Sequence, residues 1–259
     1  MNLFLPSKNP LFGRRILLLD QVSSTNDVLK ESALQGAEEG TVVVAREQSA
    51  GRGRAHRSWV SPRDAGLYCS LLLRPALLPS QCGVLSILLS LAAIRAVRRA
   101  MRIHAGLKWP NDILLQGKKA GGILVESHLS GHRLAFAIAG VGINVNQLPE
   151  DFPPDLRPNS ASLRMSAGQI LDKDELLLHF LRQMNLLYPE LTDPRMRRKW
   201  INAWQQHCVH MDQSVVISRG AETRSGRFKG ISSWGAALVE TENGQIQHFE
   251  YGDFSLREN

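Results

Sequence analysis

Residues 104–146, HAGLKWPNDILLQGKKAGGILVESHLSGHRLAFAIAGVGINVN, constrain the fold more than any other part of the chain. Three apolar runs, NDILLQ, GGILVES and HRLAFAIAGVGINV, follow one another with only short turns between them, the first around Gly117, Lys118 and Lys119. A parallel neighbour needs a long crossover, so strands this close in sequence favour antiparallel pairing. Further strands are expected at 14–20 (RRILLLD), 41–47 (TVVVARE) and 66–75 (GLYCSLLLRP). Helices are expected after SSTN, with Ser23, Ser24 or Thr25 as N-cap and Gly36 as stop, and over 81–102, 173–190 and 194–207. The sum is an α+β fold: a mixed, largely antiparallel sheet with its helices on one side.

Residues 147–170 carry Pro and Ser and read as loop. From about Met211 the texture changes to short strands, QSVVISR, ETRSGRFKGI, AALVET, QIQHFEY and FSLR, separated by Gly and Asn turns. That is the pattern of a small β-barrel or sandwich, so the chain divides into residues 1–209 and a C-terminal domain, 210–259.

The longest apolar stretch, residues 83–97, is broken by Ser86, Ser90 and Arg95, short of the roughly 18 uninterrupted apolar residues expected of a membrane span. Arg95, Arg98, Arg99 and Arg102 crowd the end of the same helix, where they complement its dipole. The N-terminus lacks the order of a signal peptide, so the expected location is cytoplasmic, with no membrane partner. Three scattered cysteines, Cys69, Cys82 and Cys208, make no disulfide framework, and HCVH (207–210) has no second ligand cluster to complete a metal site. The net charge of +7 favours anionic partners without choosing among them.

Three stretches carry chemistry. In EQSAGRGRAHRSWVSP (47–62), the amides around Gly51 and Gly53 lack a shielding Cβ, and Arg52, Arg54 and Arg57 can fork onto phosphate oxygens. The loop fits neither GxxxxGK[ST] nor GxGxxG, so a phosphate loop and an exposed basic loop touching nucleic-acid backbone both stay open. In KWPNDILLQGKKAGGILVE (108–126), Asn111 and Asp112 form either a simple turn or a site that orients magnesium or an amine; Lys119 stands before Ala-Gly-Gly, where it can hold a carboxylate and a phosphate together. In GVGINVN (140–146), Gly140 and Gly142 suggest a bulge or a close ligand, and Asn144 offers an amide suited to an adenine edge.

Taken in order, with SSTN (23–26), GRFKGISSWGAALVE (226–240) and the ending GDFSLR (252–257), these stretches resemble the biotin protein ligases. The resemblance implies a class II synthetase-like catalytic domain followed by an SH3-like barrel. It implies an enzyme that joins biotin to ATP as biotinyl-5′-AMP and passes biotin to a lysine of a biotin carboxyl carrier protein. ATP, Mg²⁺ and biotin are the expected small molecules, with no fixed metal site in the protein. Ser24, Thr25, Asn26 and Gln48 would begin the biotin site, with backbone from Gly122 and Ile123. Arg52, Gly53 and Arg54 would cover the biotin carboxylate and adenylate phosphate, and Lys119 would bridge them. Arg57 would face the phosphates, Trp59 the closed loop or nucleotide, Asn144 the adenine, and Arg257 would reach back toward the nucleotide. Asp112 would orient the metal or the attacking lysine, beside Lys119, Arg54 and Arg52 as catalytic groups.

His56 departs from the family's GRGRxGRxW, which has glycine there. Only about thirteen residues precede the first expected strand, so no DNA-binding module is expected. A homodimer is left open. Two rivals are a lipoate or octanoate protein ligase of the same superfamily and a nucleic-acid-binding regulator. Aromatics at 6% give the regulator little stacking surface.

Overall fold

The computed structural model describes residues 10–218, 222–250 and the backbone of 219 and 255–258. β1 (Ile16–Val22) and β2 (Val42–Gln48) pair in parallel, and α1 (Thr25–Leu34) supplies the crossover between them. β3 (Gly66–Leu73) returns antiparallel to β2. After α2 (Gly83–Met101) come β4 (Gly106–Lys108), β5 (Asp112–Leu115), β6 (Lys118–Ser130) and β7 (Arg133–Asn144). The sheet order is β1-β2-β3-β7-β6-β5-β4, antiparallel throughout except for the first pair. β7, carrying GVGINV, therefore sits at the centre between β3 and β6. Residues 104–146 hold four strands rather than the three expected, because the three-residue β4 is too short to show a period.

The expectation of helices on one side needs a correction. α2, α4 (Lys173–Leu187) and α5 (Pro194–His207) cover one face. α1 covers the other, packing Leu29 and Ala33 against Val43, Leu72, Phe136 and Ile138. Leu67, Cys69, Leu71 and Leu73 point into the larger core, while Leu72 points to α1. With both faces covered, every residue of β3 is buried.

α2 with its leading turn (Pro79–Met101) is long and apolar enough by length and composition to cross a membrane, but it is mostly buried inside the protein. Its serines find partners there: Ser86 Oγ donates to Pro110 O at 3.2 Å, and Ser90 Oγ accepts from Trp204 Nε1 at 3.0 Å. The stretch 147–170 is not all loop. Ser162 caps a short α3 (Leu163–Ala167), its Oγ accepting from Met165 N at 3.1 Å, and Gly168 ends it at φ 72°.

The second sheet comprises β8 (Ser214–Arg219), β9 (Glu222–Ile231), β10 (Ala237–Glu240), β11 (Ile246–Phe249) and β12 (Ser255–Glu258), in the antiparallel order β11-β10-β9-β8-β12. Its apolar face, Val215, Ile217, Phe228 and Val239, is continuous with the large core. Trp109 Nε1 donates to Gly235 O at 2.9 Å, Ile231 N donates to Gln205 Oε1 at 3.0 Å, and the Arg197 guanidinium lies 3.9 Å from the Trp234 ring centroid. The second sheet is thus joined to the rest of the fold by apolar contacts as well as hydrogen bonds.

Candidate active site

The carboxyl end of β2, the loop after it, and the central strands β6 and β7 enclose a cleft of about 610 Å³. Ser24, Thr25, Asn26 and Gln48 line it, as do Arg52, Gly53, Arg54, Arg57, Trp59, Asp112, Lys119, Gly122, Ile123 and Asn144. Arg257 stands on β12 in register with Val216, two positions along from Ser255, whose partner Ser218 lines the cleft; the Arg257 side chain lies outside the described residues.

One wall is a hydrogen-bonded network at the start of α1. Thr25 N and Oγ1 both donate to Gln48 Oε1, at 2.9 and 3.1 Å, and Gln48 Nε2 donates to Ser61 Oγ at 2.8 Å. Asn26 Nδ2 donates to Glu126 Oε2 at 2.6 Å, and its Oδ1 accepts from Ser70 Oγ at 2.6 Å. These partners fix which way the Asn26 amide faces. Ser24, Thr25, Asn26 and Ser70 are all buried, so each polar atom needs such a partner.

The loop after β2 folds back on itself as a lid. Trp59 N donates to Gly51 O at 2.8 Å and Gly53 N to Arg57 O at 2.7 Å. A Cβ on Gly51 would lie 2.4 Å from Trp59 O, which explains that glycine. Ala55 and His56 both take the left-handed conformation, at φ 52° and 58°. The position where the family pattern has glycine is thus one where glycine carries no penalty and His56 does. Arg52 Nη2 donates to Asp27 Oδ1 at 2.6 Å and to Glu126 Oε2 at 2.8 Å, while Arg54 Nη1 reaches Asn111 Oδ1 at 3.4 Å.

The floor explains GVG. Gly142 pairs with Gly122 across β6 and β7, and Trp59 lies over both: a Cβ on Gly142 would sit 2.6 Å from the indole Nε1 and Cε2. A Cβ on Gly140 would sit 2.4 Å from Asn26 Oδ1. The bulge weighed at Gly140 and Gly142 is absent, for β7 pairs with β3 without a break from Ala137 to Asn144. The close approach is made by the protein's own side chains.

A bulge does occur one strand away. Opposite Ile113 and Leu114 the register skips Ala120. Lys119 and Gly122, three positions apart, would face opposite ways in a regular strand; the extra residue brings them together, and a Cβ on Gly122 would lie 3.6 Å from Lys119 Cε. Lys119 Nζ then meets Asp112 Oδ1 at 2.6 Å and stands 5.6 Å from the Trp59 ring centroid. Asn144 is buried; its Nδ2 donates to Ala161 O at 2.9 Å and its Oδ1 accepts from Gln147 Nε2 at 3.3 Å, which leaves one N–H uncommitted.

Sequence reasoning missed Glu126, Asp27 and Ser70, and the wall formed by Phe152, Asp155, Leu156 and Ser160. Ser70 had a signal, a hydroxyl in the middle of an apolar strand. Cysteine chemistry has no place here: burial pushes the Cys69 thiol up to about 12 and the Cys208 thiol up to about 11, so both stay protonated. Among the described residues no three His, Cys, Asp or Glu side chains converge as metal ligands.

The loop arginines Arg52, Arg54 and Arg57, the paired glycines Gly122 and Gly142, Lys119 and the Thr25–Asn26–Gln48 network thus share one cleft. Residues 18–144 match the Biotin/lipoate A/B protein ligase family, and residues 210–257 match the Biotin protein ligase C terminal domain. The bifunctional ligase/repressor BirA of Bacillus subtilis (strain 168) is 35% identical over 238 residues, covering 92% of this chain and 73% of that protein. The biotin--[acetyl-CoA-carboxylase] ligase of Paracoccus denitrificans is 32% identical over 239 residues, 88% of this chain and 95% of that one. The Aquifex aeolicus biotin protein ligase in complex with biotin and ATP has a TM-score of 0.81 at 31% identity, covering 95% of this chain and 100% of that chain. The chain belongs to the biotin protein ligase family.

Proposed function

We propose that this protein activates biotin with ATP and transfers it to a lysine of a biotin carboxyl carrier protein in the cytoplasm. The observation that carries the reading is the gathering of Lys119, the lid arginines and the Thr25–Asn26–Gln48 wall around one cleft. In the first step a biotin carboxylate oxygen bonds to the α-phosphorus as the bond to the pyrophosphate oxygen breaks. In the second, the carrier amine bonds to the biotinyl carbon, AMP leaves with its oxygen, and the amine loses a proton.

Both steps concentrate negative charge on oxygens, so positioned cations are the main lever. Lys119 faces the carboxylate and α-phosphate from the bulge beside the glycine floor, and Arg54 and Arg57 face them from the lid. Thr25, Asn26 and Gln48 hold the polar ring of biotin, against backbone at Gly122 and Ile123. Trp59, spread over Gly142 and Gly122, closes the lid and excludes water from the mixed anhydride. Asn144 offers adenine its remaining N–H, and Arg257 comes from β12.

Mg²⁺ arrives with ATP as part of the substrate. The donor set suits that, since Asp112 keeps one oxygen beyond Lys119 and Asp155 also lines the cleft, both hard ligands. When bound, the ion neutralises phosphate charge. Residues 1–209 form the catalytic domain and 210–259 the C-terminal domain. The test is incubation with biotin, MgATP and a carrier domain, followed by mass spectrometry. A mass gain of one biotin on the carrier lysine is expected; an unmodified carrier, or a gain only with lipoate or octanoate, overturns the proposal.

A further inference from the structure

The lid arginine Arg52 does not point into the cleft as a free cation. Both N–H groups of its Nη2 are spent, on Asp27 at the start of α1 and on Glu126 in β6. The same Glu126 oxygen that accepts from Arg52 also accepts from Asn26 Nδ2 at 2.6 Å. One carboxylate oxygen therefore joins the lid to the wall. On its other side Asn26 is held by Ser70 and is 3% exposed, so it offers Glu126 a fixed partner. The clasp itself is more open, with Arg52, Asp27 and Glu126 side chains 39%, 42% and 36% exposed. An ion pair so placed is weak enough to open and strong enough to bias a loop.

We infer that Glu126 is a positioning residue and Arg52 a clasp: together they hold the lid shut against the wall and set the Asn26 amide. The effect on substrate rests on the proposed function, but the clasp does not. If Arg52 opens, Asp27 and Glu126 are left facing each other without the cation between them, which favours reclosure. Anion binding by the lid then falls chiefly to Arg54 and Arg57. The apparent affinity for biotin scales with the fraction of molecules in which lid and wall are joined.

The experiment uses the full chain carrying Arg52→Gln, Glu126→Gln, the double variant, and Asp27→Asn. Trypsin acts on each protein alone, and cleavage after Arg54 and Arg57, present in every variant, is followed by mass spectrometry; fast-closing segments are cut in proportion to their open population. Glu126→Gln is expected to raise cleavage about fivefold, Arg52→Gln, which loses Asp27 as well, about tenfold, and the double variant no further than Arg52→Gln, since the Arg52–Glu126 interaction is removed only once. Asp27→Asn, which leaves Glu126 in place, is expected to raise it about twofold. In pyrophosphate release the same variants raise the KM for biotin by similar factors and change kcat less, with the melting temperature nearly unmoved. Parent-like cleavage in the single variants, or losses that multiply in the double variant, overturns the clasp. Should Glu126→Gln fail to fold, parent-like cleavage in Asp27→Asn does the same. Absence of pyrophosphate release from the parent protein overturns the proposed function instead and leaves the tryptic result standing.

Discussion

The same substitution at two glycines of β7 is expected to fail in two different ways. At Gly140 an alanine Cβ would lie 2.4 Å from Asn26 Oδ1, about 1 Å inside an ordinary contact. Asn26 cannot yield cheaply, because Ser70 and Glu126 each hold its amide at 2.6 Å in a buried site. Moving it breaks one neutral and one charge-assisted hydrogen bond, about 3 kcal/mol together. Replacing a strand glycine returns about 0.5–1 kcal/mol of chain entropy. The net loss is about 2 kcal/mol, or a fall of about 4–8 °C in melting temperature for a chain of this size. At Gly142 the Cβ would meet the Trp59 indole at 2.6 Å. Trp59 belongs to the lid and can leave by opening it, so the sheet is spared and closure is lost. Gly142→Ala should melt within about 2 °C of the parent yet bind the biotin–adenylate at least about tenfold more weakly. Paired thermal melts, with and without that ligand, read both quantities. Equal melting temperatures for the two variants would refute the reasoning, because they would mean that wall and lid yield alike.

Lys119→Ala removes the ammonium that the bulge at Ala120 aims toward Gly122, and is expected to slow pyrophosphate release at least about a hundredfold without unfolding the protein; a near-normal rate sinks the role given to Lys119. His56→Gly sets two effects against each other. It relieves about 1 kcal/mol of left-handed strain at φ 58° and adds about 0.5–1 kcal/mol of chain entropy to the open lid. Tryptic cleavage after Arg54 should therefore change by less than about threefold; a change beyond tenfold in either direction shows that one of those effects has been misjudged.

Much of this was legible in the chain. β9 occupies Glu222–Ile231, the run ETRSGRFKGI that the sequence marks as a strand. α1 begins beside its expected cap residues, and α5 starts at Pro194 behind Asp193, whose side chain accepts from Arg195 N. What could not be read depends on pairing. That Gly140 and Gly142 face Asn26 and Trp59 follows from β7 entering the sheet between β3 and β6, an arrangement no local pattern encodes. The direction of Lys119 hangs on one unpaired residue, Ala120, whose bulge exists only against β5. Glu126 ends the apolar run GGILVE and looks like an ordinary strand terminus. Only tertiary folding reveals that it receives a lid arginine 74 residues away in sequence. Residues 152–160 carried no signal at all, since a cleft wall made of loop needs neither periodicity nor special residue types.

The pairing of the site's cations bears on how such a cleft works. Lys119 has Asp112, Arg52 has Asp27 and Glu126, and Arg54 has Asn111. A cation crowded beside others without an acceptor would be repelled from the cleft or lose its order. With acceptors each keeps one rotamer, so little reorganisation remains when phosphate oxygens enter. Asp112 holds Lys119 at 2.6 Å. On the proposed roles, Lys119 would exchange Asp112 for substrate only once an anion is close enough to compete with a carboxylate, which would couple its release to a filled cleft.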